Sequence, residues 1–224
     1  MPDPDAVIYC HLGPLAVNAT LLSSWVTIVL LTAGSWLLTR HLSGGGPPSR
    51  RQQLAELVLL AMREQCNQIG GGAIRSLRFF PLVATLFLYI SASSVLSVVP
   101  GLHPATMSLS TTAALAFTVF VAVPVIGMQD QGVRGYLRHY LSPTFFMLPF
   151  HVLGEVTRTI ALAIRLFGNV MSGSVLVGIL LSIAPFFLPV LAQLMELLFG
   201  QIQAYIFAVL ATVYLASAQR EGES

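Results

Sequence analysis

Four charged residues lie inside the last two long apolar segments of this chain: Glu155, Arg158, Arg165 and Glu196. At the centre of a bilayer, each charged side chain costs about 2.5–3.5 kcal/mol on insertion scales. Residues that carry this cost usually face a charged partner or a water-filled cavity. An arginine guanidinium keeps its proton under these conditions, whereas a desolvated lysine can lose it. The residue types therefore indicate buried charges that face a charged partner or a water-filled cavity.

Arg165 is the hardest of these charges to assign to the membrane surface. Apolar residues 160–164 precede it, and an uncharged stretch follows it as far as the last segment. A side chain that reaches the interface by snorkelling must lie near a helix end, and Arg165 does not. Glu155 and Arg158 are three residues apart, a spacing that permits an ion pair close to one membrane surface. Glu196 comes soon after a Pro-marked turn, so it lies either within the membrane or beside that turn.

A polar stripe is expected along the segment that contains Arg165. Helical residues seven apart share a face, because each residue turns the helix by about 100°. Arg158 and Arg165 have this spacing. His151 continues the same face in one direction, and Asn169 continues it in the other. We therefore expect these four side chains on one side of a single helix.

A second polar stripe is expected on the final segment. Gln193 and Glu196 are three residues apart, and Gln203 follows Glu196 by seven. Gly200 falls on the same face, where the lack of a side chain predicts the close approach of another helix. Gln193 also fits a purely structural role, because amide side chains commonly hydrogen-bond between membrane helices.

The composition places the chain among membrane proteins. Of its 224 residues, 55% are hydrophobic and 9% are charged, and the mean hydropathy is +0.80. A soluble domain carries about 25% charged residues, with which it covers its surface. We therefore expect an all-α polytopic membrane protein with about five crossings of ~20 residues each. One further helix is expected to be amphipathic and to lie at the interface.

The apolar segments and the breaks between them predict a single membrane domain over residues 1–224. Residues 21–39 are free of charge and long enough to cross the bilayer. Residues 50–78 mix charged and apolar positions, which is typical of an amphipathic segment at the cytoplasmic interface. The other predicted parts are an outer N-terminus over 1–20, the second and third crossings over 79–99 and 110–127, an arginine-bearing helix region over 143–183 and a final helix over 189–217.

The distribution of arginine predicts the orientation of the chain. Segments rich in Arg and Lys stay on the cytoplasmic side of a membrane. We therefore expect the N-terminus outside and the C-terminus in the cytoplasm, which agrees with five crossings. The basic residues outside the apolar segments are Arg40, Arg50, Arg51, Arg63, Arg75 and Arg78 after the first crossing, Arg134 and Arg138 after the third, and Arg220 in the tail.

Other functional classes find little support in the sequence. It contains no GxxxxGK[ST] loop for nucleotide phosphates and no HExxH or GxSxG motif of an intramembrane enzyme. Cys10 and Cys66 stand alone, without metal or redox spacing, and no basic cluster indicates nucleic-acid binding. We expect no cofactor and no bound metal. An ion-coupled secondary transporter is the main alternative, because such proteins also carry buried arginine and glutamate.

Two motifs in the C-terminal half resemble the signatures of subunit a of F-type rotary ATP synthases. The first is TIALAIRLFGNVMSG over 159–173, and the second is QAYIFAVL over 203–210. The strong resemblance covers about 145–217, and residues 1–75 match the family in topology only. The two motifs also occur in the order in which the family has them.

The resemblance implies a stator subunit that lies beside a rotating ring of c subunits, together with the b subunits of the peripheral stalk and the rest of the ATP synthase complex. It implies that the last two helices are long and tilted along the ring, and that the chain supplies two offset aqueous half-channels. Protons or Na⁺ would reach a ring carboxylate from one side of the bilayer and leave to the other. ATP chemistry would belong to partner subunits, so this chain would be a non-catalytic channel subunit of an ion-translocating ATPase.

The resemblance also implies roles for individual residues. Arg165 matches the family's essential arginine opposite the ring carboxylates, and Gln203 matches the polar residue that faces it from the last helix. Asn169 and Glu196 match positions along the ion path. Many members carry Glu or His nine residues after the arginine, whereas Ser174 stands here. Glu196, together with water, is therefore expected to be the single ionisable group of the access path, and Ser174 is counted among the ion-path residues.

Glu155 and Arg158 match charged family positions near the cytoplasmic side of the ion path. The short N-terminus and Ser174 favour the bacterial N-type variant of these ATPases, and hence a place in the bacterial plasma (inner) membrane. The sequence leaves open whether the ion is a proton or Na⁺, because the ion's ligands lie largely in the ring. The sequence also leaves open the number of c subunits and the preferred direction of operation.

Overall fold

Helices dominate the computed structural model, which describes residues 8–12, 15–40, 50–70, 73–99, 104–141, 147–184 and 187–220. Within these residues, a short β-hairpin is followed by six α-helices. The helices are α1 (Ala19–Thr39), α2 (Arg50–Gly70), α3 (Ala73–Leu96), α4 (Leu109–Leu141), α5 (Met147–Ile183) and α6 (Leu188–Arg220). A 3-10 turn at Ala105–Met107 lies between α3 and α4.

Five helices of the described part of the chain are long and apolar enough to cross a membrane, namely α1, α3, α4, α5 and α6. The prediction of an all-α polytopic protein with about five crossings is therefore confirmed. α2 differs from these five because Glu56, Arg63 and Glu64 are exposed on it, while Met62 and Cys66 are buried. It has the amphipathic character that the sequence predicts between the first two crossings.

The hairpin before α1 is a feature that the sequence patterns did not predict. Its strands, β1 (Ile8–Leu12) and β2 (Leu15–Asn18), pair antiparallel with Leu12 opposite Leu15. The hairpin falls in the region expected to form the outer N-terminus, 1–20. Residues 1–7 and 13–14 of that region lie outside the described residues.

α4 extends beyond the apolar stretch that predicted the third crossing, 110–127, and ends at Leu141. Gly132 interrupts the helix with φ 72° and ψ 159°. A residue with a side chain rarely adopts a positive φ, so the glycine is what permits the kink. The polar residues 129–131 immediately before it mark the end of the apolar part. The hydropathy pattern thus locates the crossing, and the glycine decides where the helix axis changes.

α6 lies at the centre of the bundle and contacts α2, α3, α4 and α5. Ala204, Ala211 and Leu215 on its inner face are fully buried, and small alanines allow neighbouring helices to approach closely. The partners in this core include buried Phe79 and Ile90 of α3, and further buried residues of α4 and α5 join the same cluster. The core therefore fixes α6, which carries one of the two predicted polar stripes, against all its neighbours.

The outer surface of the crossing helices is largely apolar. Trp25 and Val29 of α1 are each 65% exposed, and many leucines, isoleucines and valines of α5 and α6 are exposed as well. A soluble protein rarely exposes apolar patches of this extent, so these faces are suited to lipid. At the end of α1, the Arg40 guanidinium lies 4.8 Å from the centroid of the Trp36 ring. Aromatic and basic residues of this kind commonly mark the membrane interface.

Candidate functional site

The two helices that carry the predicted site, α5 and α6, form an antiparallel pair. Three contacts between them show this direction and define the register. From one contact to the next, the residue number decreases on α5 while it increases on α6. These contacts are Gly173 with Glu196, Asn169 with Phe199, and Arg158 with Tyr214. The polar stripe expected on α5 therefore borders α6 along much of its length.

Asn169 joins the two helices near the centre of this pair. Its Nδ2 donates a hydrogen bond to the backbone carbonyl oxygen of Phe199, with a separation of 3.3 Å. A step of four residues back along α5 and four forward along α6 covers the same rise on both helices. This step leads from Asn169 and Phe199 to Arg165 and Gln203. The register therefore places Arg165 and Gln203 at the same level of the pair.

Arg165 stands at the midpoint of the 37-residue α5, and its side chain is exposed. Leu162 and Leu166 flank it on one side of the helix and are buried, whereas Ile160 and Ile164 on the other side are 52% and 58% exposed. Within the described ranges, no acidic side chain forms an ion pair with Arg165. A cation on the apolar outer face of a crossing helix requires a partner or water, and the described residues of this chain supply no carboxylate to it.

Gln203 differs from Arg165 in that its side chain is buried, with 7% exposed. Its Nε2 atom has no hydrogen-bond partner in the part of the chain that the structure describes. Buried polar atoms are nearly always paired in proteins, and an unpaired one calls for a specific explanation such as a functional role. The amide therefore has an unused donor at the level of Arg165.

Glu196 lies directly against the backbone of Gly173. A Cβ atom placed on Gly173 would be 2.8 Å from Cγ of Glu196, closer than real Cβ atoms approach other atoms. The lack of a side chain at position 173 is therefore what allows the glutamate to lie between α5 and α6. Glu196 is half-buried there, so the structure places it within the helix pair rather than on a loop beside the turn.

Glu196 and Asn169 line two cavities and stand at the boundary between them. The first is a small cavity of about 10 Å³ with hydroxyl groups of Ser94, Ser97 and Thr106 in its wall. A volume of this size is close to the minimum that one water molecule needs. The second is an open groove of about 440 Å³ along α5 and α6. The two side chains thus connect a polar interior space with the outer surface of the helix pair.

Sequence reasoning did not identify the hydroxyl groups of α3. Four serines occur within residues 91–97, a high density for a crossing helix, and this run was the available signal. Ser93 Oγ and Thr106 Oγ1 lie 3.3 Å apart, and the Thr106 backbone N–H also donates to Ser93 Oγ at 3.4 Å. These bonds attach the 3-10 turn to α3 next to the small cavity.

Gly200 brings α6 into contact with α3 at the same cavity. A Cβ atom on Gly200 would be 2.7 Å from Ser94 Oγ and 2.8 Å from Ser94 Cβ. The close helix approach predicted for this glycine is confirmed, and the partner helix is α3. The neighbouring Gln201 accepts a 2.6 Å hydrogen bond from Ser91 Oγ and donates from Nε2 to the Ser91 carbonyl oxygen at 3.2 Å. Together these contacts fix α6 along α3.

The other predicted ion-path residues lie apart from the cavity. Ser174 Oγ donates to the Met171 carbonyl oxygen at 2.9 Å, so its hydroxyl is used within α5. Glu155 and Arg158 form the ion pair that their spacing permits, with an N–O distance of 3.9 Å. The Arg158 guanidinium also lies 5.2 Å from the centroid of the Tyr214 ring. In the described part of the chain, no group of three or more His, Cys, Asp or Glu side chains is arranged to hold a metal ion.

Five helices are long and apolar enough to cross a membrane, and two of them carry an exposed arginine at the helix midpoint and a half-buried glutamate. These features define a polytopic membrane protein with charged groups on its crossing helices. A family model described as the ATP synthase A chain matches residues 21–216, and this chain belongs to that family. The chain is therefore a multi-pass membrane protein of the ATP synthase A chain family.

Individual relatives match along almost their whole length. The chain is 50% identical to "ATP synthase subunit a 2" of Acaryochloris marina (strain MBIC 11017), over 97% of this chain and 92% of that protein. It is 48% identical to "ATP synthase subunit a" of Albidiferax ferrireducens (strain ATCC BAA-621 / DSM 15236 / T118), over 97% and 93% of the two chains. It is also 48% identical to "ATP synthase subunit a 1" of Chlorobaculum parvum (strain DSM 263 / NCIMB 8327), over 98% and 96%.

Proposed function

We propose that this chain is the ion-conducting stator subunit a of an F-type rotary ATP synthase. Its family membership supports this role, because relatives with that name align over nearly the full chain. The observation that carries the mechanism is the exposed Arg165 at the midpoint of α5. Its guanidinium lies on the outer face of the helix, where the carboxylates of a c ring would pass. The b subunits of the peripheral stalk and the remaining subunits would complete the assembly.

The fixed cation would act on each ring carboxylate as it arrives. Two opposite unit charges 4 Å apart attract each other by about 4 kcal/mol at an effective dielectric constant of 20. This attraction favours the ionised carboxylate and thus the release of its bound ion. A fully desolvated pair would hold the ring in place, so the mechanism requires water near Arg165. Because the guanidinium keeps its charge, it also repels a cation that would pass directly between the half-channels.

The outer half-channel would begin at the 3-10 turn and lead through the small polar cavity. Ser94 and Thr106 would hold water there, and Glu196 with Asn169 would pass the ion to the open groove that faces the ring. The inner half-channel would lie on the other side of Arg165 along α5, near Arg158. We propose an outer N-terminus and a cytoplasmic C-terminus in the bacterial plasma membrane, with the Arg-rich loops inside.

The membrane potential would supply the free energy of rotation. Moving one charge through 100 mV yields about 2.3 kcal/mol, so several protons or Na⁺ ions must cross for each ATP that is made. The nucleotide chemistry would take place in partner subunits. The chain itself would contribute the two paths and the fixed charge between them.

The test is the Arg165→Ala variant in the whole complex, reconstituted in liposomes after its assembly is verified. ATP-driven ion uptake, gradient-driven ATP synthesis and passive ion leak are measured. We expect loss of uptake and synthesis, together with added leak. Arg63→Ala is the matched control, because Arg63 is an exposed arginine of the amphipathic α2. If Arg165→Ala pumps and synthesises like the Arg63→Ala control, the stator-charge mechanism is wrong.

A second measurement separates this role from ion-coupled secondary transport. The purified chain without a c ring is placed in liposomes, and gradient-driven ion uptake is recorded. A stator subunit is expected to give no coupled transport by itself. Uptake by the isolated chain would instead favour the transporter.

A further inference from the structure

Arg158 is held by two contacts, one on its own helix and one on α6. Its guanidinium lies 3.9 Å from the carboxylate of Glu155 and 5.2 Å from the centroid of the Tyr214 ring. A cation within about 6 Å of a ring centroid is attracted by the negative face of the ring. Because Tyr214 belongs to α6, the position of Arg158 depends on the register of the helix pair as well as on α5.

The core of the bundle supports the Tyr214 ring at this contact. The ring packs against the hydrophobic core cluster at the centre of the bundle. The Arg158 side chain is 52% exposed, whereas that of Glu155 is 18% exposed. An arginine as exposed as this one has many rotamers available. The ring restricts the guanidinium to a place above the core, and the guanidinium in turn holds the carboxylate beside it.

The pair lies on the face of α5 that carries Arg165. Seven residues separate Arg158 from Arg165, which corresponds to about 10 Å along the helix and nearly the same direction around it. Glu196 and Asn169 lie on the other side of Arg165 along the helix pair. The described part of the helix pair therefore has carboxylates on both sides of the central arginine, and one of them is paired with a second arginine.

We propose that Tyr214 is a positioning residue that holds the Arg158–Glu155 pair in the inner half-channel, where the Glu155 carboxylate passes the monovalent cation between the ring carboxylate and the inner aqueous phase. This assignment rests on the proposed function, because it requires a path on each side of the central arginine. The carboxylate attracts the cation. The neighbouring guanidinium offsets part of its negative charge, so the cation is released rather than retained.

The test uses aromatic and aliphatic variants at one position in the whole reconstituted complex. Tyr214→Phe and Tyr214→Trp retain a ring face for the guanidinium, whereas Tyr214→Leu does not. We expect the two aromatic variants to keep the wild-type rate of ATP-driven ion uptake. The Leu variant should lose about two- to fivefold, the factor that corresponds to a cation–π contact at an exposed site. Phe117→Leu on the outer surface of α4 serves as a control for the loss of an exposed ring.

A double variant separates positioning from packing. If Tyr214 acts through the guanidinium, Arg158→Gln with Tyr214→Leu should be no slower than Arg158→Gln alone. If the two losses multiply, or if Tyr214→Phe is as slow as Tyr214→Leu, the assignment is wrong. Arg165→Ala is measured in the same preparation. Normal pumping by Arg165→Ala would overturn the proposed function itself, whereas loss in Arg165→Ala with normal uptake in Tyr214→Leu would overturn only the role of Tyr214.

Discussion

The backbone of Gly173 lies against the side chain of Glu196, so that a Cβ atom at position 173 would be 2.8 Å from Cγ and 3.0 Å from Cδ of the glutamate. The Glu196 side chain would therefore have to shift from this position if residue 173 had a side chain. The same glutamate borders both the small polar cavity and the outer groove. Helix packing and the proposed ion path thus depend on one contact.

Gly173→Ala is expected to displace Glu196 and to lower coupled ion uptake. Overpacking of this kind typically costs about 1–3 kcal/mol, against a gain of about 1 kcal/mol in helix propensity. Gly34→Ala on α1 is the matched control, because a Cβ there meets no other atom within 4 Å. Uptake and the thermal stability of the complex are measured for both. Equal behaviour of the two variants would show that the Gly173 contact does not position the carboxylate.

Glu196→Gln tests the carboxylate itself without changing its size. If Glu196 passes the ion to the ring, removal of its charge should slow ATP-driven uptake by about 10²-fold, the lower range for a lost proton-transfer group. Glu196→Asp should retain part of the rate because it keeps a carboxylate on a shorter side chain. Glu64→Gln on the exposed face of α2 is the control for the loss of one negative charge. If the Glu196→Gln complex takes up ions at the same rate as this control, Glu196 is not part of the ion path.

Gly200→Ala is expected to push α6 away from α3. The added Cβ would meet Ser94 Oγ at 2.7 Å and Ser94 Cβ at 2.8 Å, so a loss of about 1–3 kcal/mol in stability is expected. Ser94→Gly removes both contacting atoms and should restore part of the loss in the double variant. The midpoint of thermal inactivation of the complex is the measurement. A double variant as unstable as the sum of the two single variants would show that this contact is not the cause.

Cys66 provides a test of the packing of α2 that depends on pH. Burial raises the pKa of the Cys66 thiol, and the hydrogen bond with Thr212, at an S–O distance of 3.7 Å, offsets part of this effect. A higher pKa means less thiolate at a given pH, and the thiolate is the reactive form. In a Cys10→Ser background, maleimide labelling of the folded complex should therefore be slow at pH 7 and rise as the pH increases past the usual range of a thiol.

The control for this measurement is the same protein unfolded in detergent. Its thiol should label about tenfold faster at pH 7 for each unit by which folding raises the pKa, and faster still because the folded side chain is 2% exposed. Equal labelling rates in the folded and unfolded states would mean that α2 does not cover Cys66.

Several features of the fold could be read from local patterns. Hydropathy predicted five crossings and the amphipathic α2, because each of these depends on the composition of a single segment. The three-residue spacing of Glu155 and Arg158 predicted an ion pair, which the structure confirms. Gly200 predicted a close helix approach, which is also confirmed. In each case the deciding interaction lies within one helix, or depends only on the small size of one residue.

Other features depended on contacts between distant parts of the chain. The kink at Gly132 lies in a helix that continues beyond its apolar stretch, and the hairpin of β1 and β2 lies in a region without a clear strand pattern. Ser94 and Thr106 meet around a cavity with Glu196, although the three residues come from separate elements. Tyr214 gave no signal at all, because its importance comes from the ring that it presents to Arg158 across the helix pair.

The sequence by itself determined that this protein lies in the membrane, how many times its helices can cross, and that a single arginine falls at the centre of the longest one. These properties follow from hydropathy and helical period, which act over neighbouring residues. Only the tertiary structure decided that the side chain of Arg165 faces outward while that of Gln203 is buried at the same level. The register of α5 and α6 decides this arrangement. It depends on contacts between the two helices, namely Gly173 with Glu196 and Asn169 with Phe199, which are 23 and 30 residues apart in the chain.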